Sequence, residues 1–205
     1  MKLVFAAGGT GGHINPALAV AGEIRERYPD AQIMFIGTAD KLEAKLVPAA
    51  GFGFSVIEIS GFKRNMSLSG IRENVRTVRR MFTSSLQVKR ILREFSPDAV
   101  MGFGGYVSGP VVREAAKLGI PTAIHEQNAY PGVANKALAP RVDSVMLTAE
   151  AAGERMRCKN PPVLTGLPVR SEMLTVSREA SRGELGIGDR LLILSMGSCP
   201  QASAH

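Results

Sequence analysis

Four glycines surround Thr10 in the run Gly8-Gly9-Thr10-Gly11-Gly12, and His13 follows directly. Glycines let bare backbone N–H groups approach a ligand, and a helix opening near Pro16 adds its positive end to the same spot. A phosphate or diphosphate is the natural occupant. The spacing is not that of a dinucleotide fingerprint, because Ile14 stands where the third glycine of G-x-G-x-x-G belongs, and no Gly-Lys-Ser/Thr follows as in a P-loop. His13 falls between the loop and its helix, where the dipole favours the neutral ring and a neutral imidazole can accept a proton. The plainer alternative is a tight strand-to-helix turn with a capping histidine.

A second run has the same character. Gly102, Gly104, Gly105 and Gly109 flank Tyr106 and Ser108 ahead of Pro110, which makes a second helix start suited to an anion. His125 and Glu126, with Asn128 just beyond, read either as a buried hydrogen-bonded pair or as a catalytic one. The sequence contains no Asp-x-Asp, no His/Cys cluster at metal-ligand spacing and no serine nucleophile elbow, so neither a metal nor another cofactor is expected.

These loops need a frame. Short apolar runs (KLVFAA, QIMFIGT, FSVIEIS, DAVMGF, PTAIHEQ, DSVMLT, RLLILSM) alternate with helical patterns at 16–28, 41–50, 70–94, 110–118 and 132–139. Strand and helix alternating in this way predict an α/β fold, a doubly wound parallel sheet of Rossmann-like type with right-handed crossovers. The three unusual loops, after the first, fourth and fifth strands, then share the rim at the carboxyl ends of the strands, where such sheets bind ligands. Beyond Ala151 the pattern loosens into the proline-bearing CKNPPVLTGLPVRSE, a weak helix at 178–186 and a strand at 190–196. Residues 1–165 are therefore expected to form one domain and residues 166–205 a linker with the first strand of another.

The 205 residues, 45% of them hydrophobic, suffice for a globular core. Cys158 and Cys199 are too few and too far apart for a disulfide scaffold, which suits a reducing cytoplasm, and neither a signal peptide nor an apolar run long enough to span a membrane is apparent. The net charge of +7 is localised: residues 63 to 93 hold nine Lys and Arg against Glu73 alone, leaving 16 basic and 17 acidic residues elsewhere. Within that segment Ile71, Val75, Val78, Phe82 and Leu86 make a helical stripe bordered by Arg72, Arg76, Arg79 and Arg80. Such a helix either packs its stripe on the sheet with solvated arginines or lies on an anionic membrane surface, where each basic residue contributes about 1 kcal/mol. Nucleic acid is disfavoured, since Phe82 is the segment's one aromatic for base stacking.

Taken together, GGTGGHINPALAVA, GTADKLEAKLVP, ISGF, GFGGYVSGP, HEQNAYPGVANK and GLPVR resemble the bacterial MurG family, from residue 1 to about residue 198. Its members are undecaprenyldiphospho-muramoylpentapeptide β-N-acetylglucosaminyltransferases with two Rossmann-like domains in the glycosyltransferase-B arrangement. The resemblance covers the acceptor-side domain. It implies transfer of N-acetylglucosamine from its UDP carrier to lipid I, with inversion, giving lipid II at the cytoplasmic face of the cell membrane, where the enzyme is peripheral. It further implies that Thr10, Gly11, Gly12, Asn128, Arg170 and Ser198 approach the donor, that His13 is the base, and that Gly104, Gly105, Tyr106 and Ser108 hold the lipid diphosphate. Residues Ile71, Arg72, Val75, Arg76, Arg79, Arg80 and Phe82 would meet the anionic inner-membrane surface. Where the family continues Gly-Ser-Gln-Gly-Ala, this sequence reads Gly197-Ser198-Cys199-Pro200-Gln201 and ends at His205, as expected of a truncation or frame change. An inactive half that binds lipid I or the membrane surface is the alternative function.

Overall fold

The computed structural model describes residues 1–59 and 84–193. Strand β1 (Lys2–Ala6) leads through α1 (Gly11–Arg27) to β2 (Gln32–Gly37), and α2 (Glu43–Ala49) leads on to β3 (Gly53–Val56). A helix over 84–95, α3, precedes β4 (Ala99–Gly102). Then follow α4 (Gly105–Lys117), β5 (Thr122–Glu126), α5 (Val133–Leu138), β6 (Ser144–Leu147), α6 (Glu150–Gly153) and β7 (Val163–Leu164). Two short helices, α7 (Glu172–Thr175) and α8 (Arg178–Glu184), complete the described elements.

The strands form one seven-stranded sheet in the order β3-β2-β1-β4-β5-β6-β7, and every pairing is parallel. Side chains alternate across a strand, so each central strand feeds two cores. On β1, Val4 and Ala6 join Val88, Leu92, Val107, Val111 and Leu138 from α3, α4 and α5. Phe5 and Ala7 turn the other way, to Ile14, Ala17 and Ala21 of α1 and Val47 of α2. There Phe5 stacks between Phe35 and Phe103 at ring-centroid distances of 5.2 and 5.8 Å, and Phe52 lies 5.5 Å beyond Phe35. Helices on both faces make the sheet doubly wound, as its β-branched runs anticipate.

Four local expectations are corrected. The helices after the first two glycine loops begin at Gly11 and Gly105, five residues ahead of Pro16 and Pro110, which both lie inside. A proline lacks an N–H, and it was the first-turn preference of proline that placed both starts too late. Strand β3 stops at Val56 rather than reaching residue 60, although Ile57 N–H still donates to Gly37 O at 2.9 Å. Residues 190–193 of the last expected strand are not a strand, and Leu191 and Ile193 are exposed. Among the described residues no neighbour offers them a ladder, which a parallel strand requires. Conversely Val163 and Leu164, following two prolines, pair with Met146 and Leu147 as a two-residue edge strand too short to betray itself by pattern. Residues Ile71, Arg72, Val75, Arg76, Arg79, Arg80, Phe82 and Ser198 lie outside the described residues. No helix among the described residues is long and apolar enough to cross a membrane.

Candidate functional site

The chain leaves β1 for one face of the sheet and β4 for the other, although the two strands are neighbours. That divergence opens a crevice at their carboxyl ends, the switch point at which open α/β sheets bind ligands. Both glycine loops flank it. Gly104 (φ +90°) and Gly105 (φ +75°) adopt left-handed backbone conformations, and a Cβ on Gly105 would drive into Gly8 O. The two loops therefore touch backbone to backbone, an approach that only glycine permits.

His13, in the first turn of α1, is half-buried against this contact. Its Nδ1 lies 3.2 Å from Gly8 O and 3.2 Å from Thr10 Oγ1. A carbonyl can only accept, so the bond to Gly8 places the ring proton on Nδ1 and leaves Nε2 as a bare acceptor. Nε2 faces the Gly104 backbone, 3.1 Å from where a Cβ would sit there. Burial lowers the His13 pKa below its ordinary value of 6.5, outweighing the Gly8 bond and the nearby charges of Glu126 and Glu43, which raise it. A neutral ring with a free lone pair is the state that a general base needs.

Beside His13 opens a cavity of about 440 Å³, lined by Gly104, Gly105, Tyr106, Glu126, Asn128 and the 132–135 turn into α5. Glu126, 1% exposed, organises that wall. Its Oε1 accepts from Asn128 N and Nδ2, each at 3.0 Å, and its Oε2 from Gly132 N at 3.0 Å and Asn135 Nδ2 at 2.8 Å. Four donors satisfy the carboxylate where it is buried. His125 turns away from this wall: its Nε2 meets Gly166 O at 3.0 Å, its ring lies 5.8 Å from that of Phe103, and burial lowers its pKa. The pair thus has separate duties, Glu126 bracing the loop and His125 tying β5 to the segment after β7.

The predicted residues divide. His13, Gly104, Gly105, Tyr106 and Asn128 line the cavity together. Thr10, Gly11 and Gly12 are not among the lining residues; they open α1 next to His13, where Thr10 O accepts the His13 and Ile14 amides at 3.1 and 3.2 Å. Ser108 does not line the cavity; it is fully buried beneath the loop and donates towards Ala6 O and Gly104 O at 2.7 and 2.8 Å. Arg170 is exposed, beyond β7 and outside the cavity lining. Sequence reasoning passed over Asn135, which sits in a recognised motif without any local mark of burial, and Glu43, which looks like one more charge on an amphipathic helix yet is 0% exposed. Among the described residues no group of three His, Cys, Asp or Glu side chains converges as a metal site.

The architecture and the cleft define a Rossmann-like α/β domain in which two glycine-opened helix starts flank the crevice at the carboxyl ends of the strands. The chain belongs to glycosyltransferase family 28, whose N-terminal domain matches residues 3–147. The UDP-N-acetylglucosamine--N-acetylmuramyl-(pentapeptide) pyrophosphoryl-undecaprenol N-acetylglucosamine transferase of Acetivibrio thermocellus is 46% identical over 187 residues, covering 91% of this chain and 50% of the relative. Its namesake from Caldanaerobacter subterraneus is 45% identical over 198 residues, covering 96% of this chain and 53% of the relative. The crystal structure of Acinetobacter baumannii MurG superposes with a TM-score of 0.67 at 29% identity, over 81% of this chain and 46% of that one. The chain thus spans about half the length of the curated relatives it matches.

Proposed function

We propose that this chain carries the acceptor half of a transferase that moves N-acetylglucosamine from UDP-N-acetylglucosamine to lipid I, with inversion, to form lipid II. The observation that carries the reading is the bare Nε2 of a neutral His13 beside the cavity between the two glycine loops. Gly104, Gly105 and the leading amides of α4 hold the lipid diphosphate, with Tyr106 beside them and Ser108 fixing the loop from below. His13 Nε2 takes the proton of the acceptor sugar hydroxyl as that oxygen bonds to the anomeric carbon of the donor sugar. The bond from that carbon to the UDP oxygen breaks on the opposite face, UDP leaves with the electron pair, and the configuration inverts. Thr10, Gly11, Gly12 and Asn128 present the rim on the donor's side, and Arg170 and Ser198 complete that set. Recognition of the uridine is assigned to the half of the relatives that this chain does not span. Residues 1–165 form the acceptor domain and residues 166–205 the connection towards that half.

The same reading places the protein at the cytoplasmic face of the membrane, bound peripherally through the basic segment. The charge excess between residues 63 and 93 supports this, as does Leu86, the last member of the apolar stripe, which is 68% exposed rather than packed on the sheet. The test is calorimetric titration of the purified chain with a water-soluble lipid I analogue and, separately, with UDP-N-acetylglucosamine. Acceptor binding with donor affinity no tighter than about millimolar is expected, and the reverse order overturns the assignment.

A further inference from the structure

Glu43 is a fully buried carboxylate with no ion-pair partner among the described residues. Taking such a group out of water costs several kcal/mol unless hydrogen bonds replace its hydration, and an apolar side chain would fill the space more cheaply. Two glycines make room for it: a Cβ on Gly37 would lie 2.6 Å from Glu43 Cγ, and one on Gly8 would lie 2.9 Å from its Oε1. Space has been cleared on both sides for a charged group, so its acceptors are what the site uses.

Those acceptors tie three segments together. Oε2 accepts the Gly9 N–H at 3.1 Å, and Oε1 accepts the Thr38 N–H at 3.2 Å and the Thr38 hydroxyl at 2.9 Å. Thr38 Oγ1 also lies 3.0 Å from Tyr106 Oη. A threonine hydroxyl has one proton, already given to Glu43, so the tyrosine must donate. The result is a directed chain, Tyr106 to Thr38 to Glu43, that starts on the second glycine loop and ends at the carboxylate on α2, where Gly9 N–H of the first loop also donates. The Tyr106 ring lies against Gly9, whose Cβ, if present, would be 3.3 Å from Cε1. The start of α4 is thereby pinned to the first loop twice, through Gly105 against Gly8 and through Tyr106 against Gly9 and Thr38.

We propose that Glu43, acting through Thr38, is a positioning residue that fixes the spacing between the two anion-facing helix starts. The inference rests on the reading of the cleft as a diphosphate site. Fixed spacing matters to a diphosphate that is seated on the amides of α4 and faces the start of α1 across the crevice, and not to one phosphate held at a single start. Glu43 also draws the Gly9 N–H inward, which leaves the leading amides of α1 for the ligand.

The experiment uses the full chain, with inorganic pyrophosphate and orthophosphate as probes followed by amide NMR. Thr38→Val removes the relay hydroxyl, Thr38→Ser restores it, and Glu43→Gln replaces an acceptor oxygen with a donor group. Thr38→Val and Glu43→Gln are expected to weaken pyrophosphate roughly three- to tenfold, the worth of about one hydrogen bond, while orthophosphate is unchanged and Thr38→Ser returns to wild type. Equal losses for both probes, or no recovery in Thr38→Ser, would overturn the positioning role. A parent chain that binds neither probe would instead overturn the diphosphate reading. In that event the ligand-free spectra still decide the relay: Thr38→Val must shift the Gly9 and Gly105 amides together, and unmoved resonances refute it.

Discussion

Gly105→Ala attacks the closest approach in the cleft. The native φ of +75° costs an L-residue about 1–2 kcal/mol. The new methyl would also fall well inside the 3.0 Å that real Cβ atoms keep from other heavy atoms, and the atom it meets is the backbone oxygen of Gly8. Val107 and Glu43 already fill the space beside Gly8 where a Cβ would sit, which limits its retreat on that side. Together these effects are expected to total roughly 2–4 kcal/mol, at the upper end for a single substitution but short of unfolding a typical domain. Urea denaturation reads the loss, and pyrophosphate titration reads the displaced helix start as a drop in affinity. Gly22→Ala is the control: it lies within α1, nothing stands within 4 Å of its Cβ, and a gain of about 0.5–1 kcal/mol is expected with unchanged affinity. If Gly105→Ala matches the parent in both stability and affinity, the loops do not meet as described and the reasoning fails.

Stability should also depend on pH. Burial holds His13 and His125 below their ordinary 6.5, so as pH falls through that value the unfolded chain binds protons that the folded chain does not. Stability is then full above this range and declines below it, by at most about 1.4 kcal/mol per pH unit for each histidine. Urea midpoints measured from about pH 8 to about pH 5 check this, and His125→Gln should flatten the slope. Reversing Arg72, Arg76, Arg79 and Arg80 to Glu should abolish cosedimentation with anionic vesicles, and added salt should weaken it in the parent; indifference to both would return the stripe to the core. In a protein carrying both halves, His13→Ala should lower transfer by about 10² to 10⁴ with little change in donor affinity, whereas a purely structural histidine would show lost stability and near-normal turnover.

The sheet could be read because its strands are apolar on both faces and its loops break the pattern with glycine. The cleft was legible as far as it is built from those loops and from His13. Helix starts were misplaced because Pro16 and Pro110 carry a stronger local signal than the glycines that begin α1 and α4. Gly8 and Gly105, which lie in different loops, meet beside those starts, and no local window contains that contact. Ser108 is implied as a ligand contact by the family resemblance alone, and its Oγ lies beneath the loop, 2.7 and 2.8 Å from Ala6 O and Gly104 O. Glu43 escaped notice for the complementary reason. Its burial follows from two glycines, at positions 8 and 37, whose empty volumes converge on it only after the sheet has formed.

The central claim is that His13 faces an acceptor hydroxyl between the two glycine loops. A crystal structure of the chain with a water-soluble lipid I analogue tests it most directly. The diphosphate is expected against the amides that open α4 at Gly105, and the acceptor hydroxyl within about 3.2 Å of His13 Nε2. An analogue seated elsewhere on the domain, or one whose hydroxyl points away from His13 while its diphosphate occupies the cleft, would contradict it.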